Sequence, residues 1–345
     1  MIFLITNNLK DERILDFILN HNRATIYHHP AWLKAIEKSF NYKANYLLEL
    51  NEANEIKGLL PFIEFNNKIT EKKLISFPMS TYCDPLITDE KLPKAIEFLK
   101  INYLTFKTID LRTLKNLDKV LPQFSFTEEY VTHILKLKNT LDETFNSFHP
   151  TSVRASIRRA EKNNLQIKWG NSLADLNIFY HLEFKLRKRL LLPPIPYNFF
   201  KNIWTELSKE NLISLPIVYK DEFPVAAGFI LNFKDTYYLE YTASDKNYFN
   251  VYPNHKLFYE VIKKAHLTGA KKVDFGRTSN YNQSLITFKE KWAAEKFPVY
   301  HHVYPGKSNN VKNKNSLRKY LMKINYYLPD FVHELEGKFI YRHFL

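Results

Sequence analysis

Cysteine is nearly absent: Cys83 is the only one in 345 residues. No internal disulfide can form, and the composition suits a reducing compartment. A single thiol is more often a small buried residue than a nucleophile. Glycine is scarce, with seven in all, so no Gly-rich loop is available to cradle phosphates. No apolar run reaches the eighteen or more residues of a membrane span. The start, Met1-Ile2-Phe3-Leu4-Ile5-Thr6, lacks the length and basic flank of a signal peptide. A cytoplasmic protein is the expectation. The adjacent His28 and His29 have no further ligands at a suitable spacing, so capping or packing is expected and no metal site.

What is abundant is positive charge and aromatic surface. Fifty Lys and Arg against thirty-six Asp and Glu leave +14, and 15% of residues are aromatic. Such a surplus favours an anionic partner: tRNA, a coenzyme A phosphate, a nucleotide-linked precursor, or the anionic inner leaflet. A Lys- and Asn-rich coding bias is the plainer source of the same charge. The 45% hydrophobic content is ample for buried cores in one large or two medium domains.

Strand and helix signals alternate throughout, which predicts an α/β chain. In the first part, Ala44–Leu50 and Ile56–Phe65 read as a hairpin, followed by a helix over 91–102 and strands at 108–111 and 131–137. A junction falls near 138–150. In the helix that follows, Arg154, Arg158 and Lys162 recur every four residues, a cationic stripe suited to phosphate. A helix over 175–190 ends in Lys185, Arg187, Lys188 and Arg189. Three strands then run close together, at 213–219, 225–233 and 236–243. The basic tail from 306 carries an expected helix over 316–327.

The stretch from Pro253 to Ala294 is the most informative. It reads Pro253-Asn254-His255, an amphipathic helix, Gly269, a strand ending Asp274-Phe275-Gly276-Arg277, a polar loop, and Phe288-Lys289-Glu290-Lys291-Trp292. Asn254 is a candidate N-cap. The helix start that it would cap is a candidate anion site, with Arg277 and Lys289 nearby.

This pattern resembles the Fem-type branch of the GNAT superfamily, the peptidoglycan-bridge aminoacyltransferases and their GNAT-like relatives. The Asp-Phe-Gly-Arg and Phe-Lys-x-x-Trp-Ala elements carry most of the likeness, with the Arg-rich helix near Arg154 and the His29-Pro30-x-Trp32 start adding to it. Asp-Phe-Gly also occurs in protein kinases, but their Gly-rich and His-Arg-Asp loops are missing here. The resemblance runs from about Tyr27 to Tyr304. It implies an α/β (α+β) fold of two tandem GNAT-like domains, each a mixed, mainly antiparallel twisted sheet flanked by helices, at 1–140 and 141–305, with the tail from 306 to 345.

It also implies transfer of an acyl or aminoacyl group onto an amine of a cell-envelope precursor. The donor would be aminoacyl-tRNA or acyl-CoA, with no permanently bound cofactor. The acceptor would be a nucleotide- or lipid-linked amine. Peripheral contact with the inner membrane is left open, and stable DNA binding is not expected. No Ser-His-Asp or Cys-His set is readable, so direct attack without a covalent enzyme intermediate is expected. Lys289, Asp274 and Tyr241 are the catalytic candidates. Arg154, Arg158, Asn254, His255, Arg277 and Trp292 are the substrate-binding candidates. The turn from Tyr248 to Asn254 lacks the glycines of an acetyl-CoA-binding GNAT, which argues against an ordinary coenzyme A grip. Two other readings are an acyl-CoA-dependent N-acyltransferase acting on an amino sugar, and a non-catalytic basic protein that binds RNA or glycolipid.

Overall fold

The computed structural model describes residues 2–66, 71–306 and 329–343. The helix expected over 316–327 lies outside the described residues. The chain gathers into two compact units. The first holds Met1–Tyr130 and takes back the segment from Pro298; the second holds Val131–Phe297 and the final helix as far as Phe339.

In the first unit, β1 (Ile2–Thr6) pairs with β2 (Lys43–Leu50), which forms the expected hairpin with β3 (Ile56–Phe65). The hairpin turn closes because the Asn51 side chain accepts from Glu55 N at 2.9 Å and Asn54 takes a left-handed φ of 60°. β4 (Lys73–Ser76) and β5 (Thr108–Thr113) pair in parallel. Helices α1 (Glu12–Asn20), α2 (Pro30–Phe40) and α3 (Leu92–Asn102) complete the unit. His29 is the N-cap of α2, its Nδ1 accepting from Ala31 N at 3.2 Å. Leu47, Leu60, Phe62, Ile96, Leu99 and Leu111 form the centre of the core.

Strand β6 (Ser125–Lys136) leads to the second unit, where α4 (Leu141–Ser147) and α5 (Ala155–Lys162) precede β7 (Gln166–Gly170). Then come α6 (Leu173–Arg189) and α7 (Tyr197–Leu207), followed by β8 (Ile213–Lys220), β9 (Phe223–Phe233) and β10 (Thr236–Ser244). The chain continues through α8 (Pro253–Leu267), β11 (Lys272–Asp274), the two-residue β12 (Thr278–Ser279), α9 (Gln283–Glu290) and β13 (Glu295–Tyr304). The last described element is α10 (Asp330–His343). Apolar residues three and four apart on α8 (Leu257, Phe258, Val261, Ile262, Ala265) bury one face against the second core, with Val273, Phe275 and Trp292.

The two units repeat one pairing pattern. From β1 to β5 the neighbours are antiparallel three times and then parallel, and the Tyr300–Tyr304 part of β13 adds an antiparallel strand to β5. From β7 to β11 the order is again antiparallel three times and then parallel, and Ile134–Lys136 of β6 adds the antiparallel strand to β11. The closing strand of the first unit thus comes from chain that has already passed through the second. This moves the division from 140/141 to 130/131 and returns the segment from Pro298 to the first unit. Partners so distant in sequence leave no trace in local patterning.

Candidate active site

The site is built where β10 and β11 part. The two strands pair in parallel for three positions, ending at Tyr238 opposite Asp274. β10 then runs on to Ser244, with a register shift between Leu239 and Tyr241 that makes Glu240 a bulge residue. The other chain turns away through Phe275 and Gly276. Gly276 has φ +70°, and a Cβ there would stand 3.2 Å from the Leu239 carbonyl. A side chain at this position would be both strained and crowded.

Asp274 pins the start of the turn. It is 1% exposed, and its Oδ1 accepts from Thr132 Oγ1 at 2.5 Å and from Gly276 N at 2.8 Å. Lys289 comes from α9 and pins the turn's other side, donating from Nζ to the Gly276 carbonyl at 2.7 Å. It is 5% exposed. Burial pushes its pKa down to about 8, against the opposing pull of Asp274 and Glu240. Asp274 and Lys289, two of the three catalytic candidates, therefore meet at one turn.

Three further residues join them that the sequence reading passed over. Thr132 anchors Asp274. His133 is fully buried and its backbone carbonyl accepts from Phe275 N at 2.8 Å. Glu240 is the β10 side chain whose charge reaches Lys289. One signal was available. Two consecutive polar residues in the otherwise apolar run Val131-Thr132-His133-Ile134-Leu135 must face opposite sides of the strand.

Tyr241, the residue after Glu240, packs its ring against aromatic residues of α7. Its ring is edge-on to Phe200 at 5.2 Å and Phe199 at 5.9 Å, in the aromatic cluster beneath α7. Trp292, expected at the substrate, is a core residue instead. It is 0% exposed, packed 5.2 Å from Phe148 and 5.6 Å from Phe258. The apolar spacing of Phe288 and Trp292 on one helical face already favours that placement.

The helix start is a thinner anion site than expected. The N-cap is Tyr252, at φ +63°, not Asn254, and its side chain makes no cap bond. Pro253 has no N–H to offer, and the His255 and Lys256 N–H groups are both spent on the Tyr252 carbonyl. His255 stacks on Trp292 at 5.7 Å, and burial lowers its pKa to about 4, so the ring is neutral near pH 7. With Ser152, Gln283, Ser284, Thr287 and Lys291 it lines a cavity of about 530 Å³. Arg277 is exposed. Arg154 is half-buried, with a weak 3.4 Å bond to Asn146, and the exposed Arg158 lies over the Phe145 ring at 5.7 Å.

A second cavity, of about 410 Å³, opens at the far end of β10. Lys185, Lys188 and Arg189 from α6 and Lys246 after β10 line it, with Ser244 and Asp245. Lys185 pairs with Asp245 at 3.7 Å and Lys188 with Asp330 at 2.7 Å. Arg189 lies over the Phe249 ring at 5.2 Å. Two of the four cations thus have carboxylate partners, and the cavity keeps a positive surplus. Among the described residues no three His, Cys, Asp or Glu side chains gather as a metal site, and no helix is long and apolar enough to cross a membrane.

Residues 147–289 match the acetyltransferase (GNAT) domain family. The match includes the parting strands, Asp274 and Lys289, and spans less than half of the chain. That part of the chain is similar to an acyltransferase domain. The fold of the chain extends further than that domain. It resembles the crystal structure of FemX, with a TM-score of 0.72 and 16% identity over 88% of this chain and 97% of that one. It also resembles a tandem GNAT protein from the clavulanic acid biosynthesis pathway, with a TM-score of 0.54 and 9% identity over 89% and 99%. A third likeness is to the C-terminal domain of a putative lysylphosphatidylglycerol synthetase from Agrobacterium fabrum, with a TM-score of 0.57 and 10% identity over 87% and 93%. At these identities the likeness is one of fold, and it is the two-domain GNAT arrangement. No curated protein sequence is similar enough to count as a match.

Proposed function

We propose that this protein transfers an acyl or aminoacyl group onto an amine of a phosphate-bearing cell-envelope precursor, by direct attack without a covalent enzyme intermediate. The observation that carries this reading is the buried Lys289 at the apex of the parting strands, one hydrogen bond from the Gly276 turn. Acyl transfer to an amine develops negative charge on the carbonyl oxygen and then on the leaving group. A lysine with a pKa near 8 is charged through most of the neutral range, yet close enough to balance to give up its proton. Lys289 is assigned to that developing charge. Asp274 sets the turn and, with Tyr241, is a candidate to orient the amine. Arg154, Arg158, Asn254, His255 and Arg277 remain candidates to hold substrate from the α5 and α8 side.

The cationic cavity supports a phosphate on one of the two substrates. It lies six residues along β10 from Tyr238, roughly 20 Å at ordinary strand rise. A ligand with its phosphate there and its reacting group at Lys289 would be an extended molecule. Aminoacyl-tRNA as donor, with a nucleotide- or lipid-linked amine as acceptor, fits the Fem-like and synthetase-like folds. An acyl-CoA donor and an amino sugar acceptor form the second reading, disfavoured by the turn before α8, where Tyr252 holds a left-handed φ without a glycine. The non-catalytic RNA- or glycolipid-binding reading shares the cationic cavity and the glycine-free turn but gives the buried Lys289 no role.

The test pairs labelled aminoacyl-tRNA or acyl-CoA with nucleotide-linked, lipid-linked and phosphate-free amines. Label should pass only to phosphate-bearing acceptors. If neither donor is consumed with any of them, the reading fails. Reversing two cavity charges, Arg189→Glu with Lys246→Glu, should raise KM for the phosphate-bearing substrate by about tenfold or more, since hydrogen bonds to charged groups are worth roughly 1.5–3 kcal/mol each. An unchanged KM would place the phosphate elsewhere.

A further inference from the structure

His133 is buried beside the candidate active site, and among the described residues neither of its ring nitrogens has a hydrogen-bond partner. A buried imidazole without partners costs stability, and natural sequences keep such groups mainly where function needs them. Its location is specific. β6 joins the Gly276 turn through two consecutive residues: Thr132 bonds Asp274, and the His133 carbonyl takes the Phe275 N–H. The next residue, Gly276, carries the Lys289 ammonium on its carbonyl. The ammonium has three N–H donors, and this bond occupies one. Asp274 Oδ1 already serves Thr132 and Gly276 N.

We propose that His133 is a positioning residue for Lys289: its imidazole is the second acceptor that receives the ammonium when it leaves the Gly276 carbonyl to meet the reacting group. The idea rests on the assignment of Lys289 to the reaction. Beside Lys289 itself, three charged groups act on the pair. Burial holds the His133 ring neutral, with Lys289 of α9 and Lys296 of β13 adding to it, and Asp274 of β11 and Glu240 of β10 favour the charged lysine. A neutral imidazole offers one acceptor nitrogen, which is what a partly desolvated ammonium requires.

The test is a titration of the Lys289 Nζ by lysine-selective 15N NMR on the full-length protein, with Lys289→Met to assign the signal. In His133→Phe the Lys289 pKa should fall by about one unit, a tenfold loss of proton affinity. In His133→Asn, whose amide oxygen can accept, it should return to the wild-type value. The pH profile of kcat should move in step. The His133→Phe protein should melt no lower than wild type, because the substitution removes orphaned polar atoms. A purely packing role predicts a lower melting point and an unmoved titration, and that result overturns the proposal. The titration needs no substrate. An unmoved signal with an inactive Lys289→Ala would sink only the role of His133. A fully active Lys289→Ala would sink the assignment of Lys289 itself.

Discussion

Lys289→Ala should lower kcat/KM for transfer by about two to four orders of magnitude, the range for removing one transition-state stabilising or proton-transferring group. The structure leaves the ammonium little other work. It is 5% exposed, so it contributes nothing to surface solubility, and its one described hydrogen bond goes to a backbone carbonyl that belongs to the same turn. Removing the charge alone should not weaken the fold at neutral pH. The folded-state pKa of about 8 lies below the ordinary lysine value of 10.5. Between those values the unfolded chain binds the proton and the folded chain does not, so stability rises with pH across that window. Below about pH 8 the cost of burying the charge is fully present. It amounts to about 3 kcal/mol before the Gly276 bond is counted against it, at 1.36 kcal/mol per unit. Lys289→Met, which keeps the apolar stem, should therefore be as stable as wild type or more so at pH 7. Its stability curve should lose the rise between pH 8 and 10.5. Urea midpoints at pH 7 and pH 10, set beside activity, separate the two effects. A Lys289→Met protein that is both active and less stable at pH 7 would show the lysine to be structural.

This opposition explains why some of the site was legible before the structure and some was not. Lys289 and Asp274 stand in short motifs whose neighbours fold together locally: a strand end, a glycine turn and a helix within sixteen residues. Sequence proximity put them in one place. Thr132, His133 and Glu240 reach the same place by strand pairing. Thr132 and His133 arrive from about 140 residues away, and Glu240 becomes available to Lys289 only through a bulge. No periodicity encodes a bulge or a long-range register. The same cause displaced the division between units. The hairpins of β2–β3 and β8–β9–β10 were readable because their turns are local. The closing strands β6 and β13 were not, since each is chosen by a partner far along the chain. The helix start at Pro253 misled for another reason. Asn254 has the right chemistry for a cap, but the helix begins at Pro253, two residues before the start that an Asn254 cap implies, where the fixed φ of proline suits the first turn.

Trp292 is the residue whose loss should damage the fold most. Its ring is wholly buried and touches rings from four elements or their flanks: Phe148 after α4, His255 and Phe258 of α8, Phe275 after β11, and Phe288 of α9. Trp292→Ala should cost about 3–5 kcal/mol, the range for emptying an aromatic-sized volume that the surroundings cannot close. Trp292→Phe should cost much less. It keeps a ring in the cluster, and it removes an indole N–H that has no hydrogen-bond partner among the described residues. The contrast matters for the site, because α9 carries Lys289 and leans on this ring. Trp292→Ala should therefore lower kcat through a displaced Lys289 as well as lowering the urea midpoint of the second unit. Trp292→Phe should keep the activity with only a small shift. If both variants lost activity equally while unfolding at the wild-type midpoint, Trp292 would be acting on substrate after all. The expected order, alanine far below phenylalanine in stability and activity together, is what a core residue holding a catalytic helix in place requires.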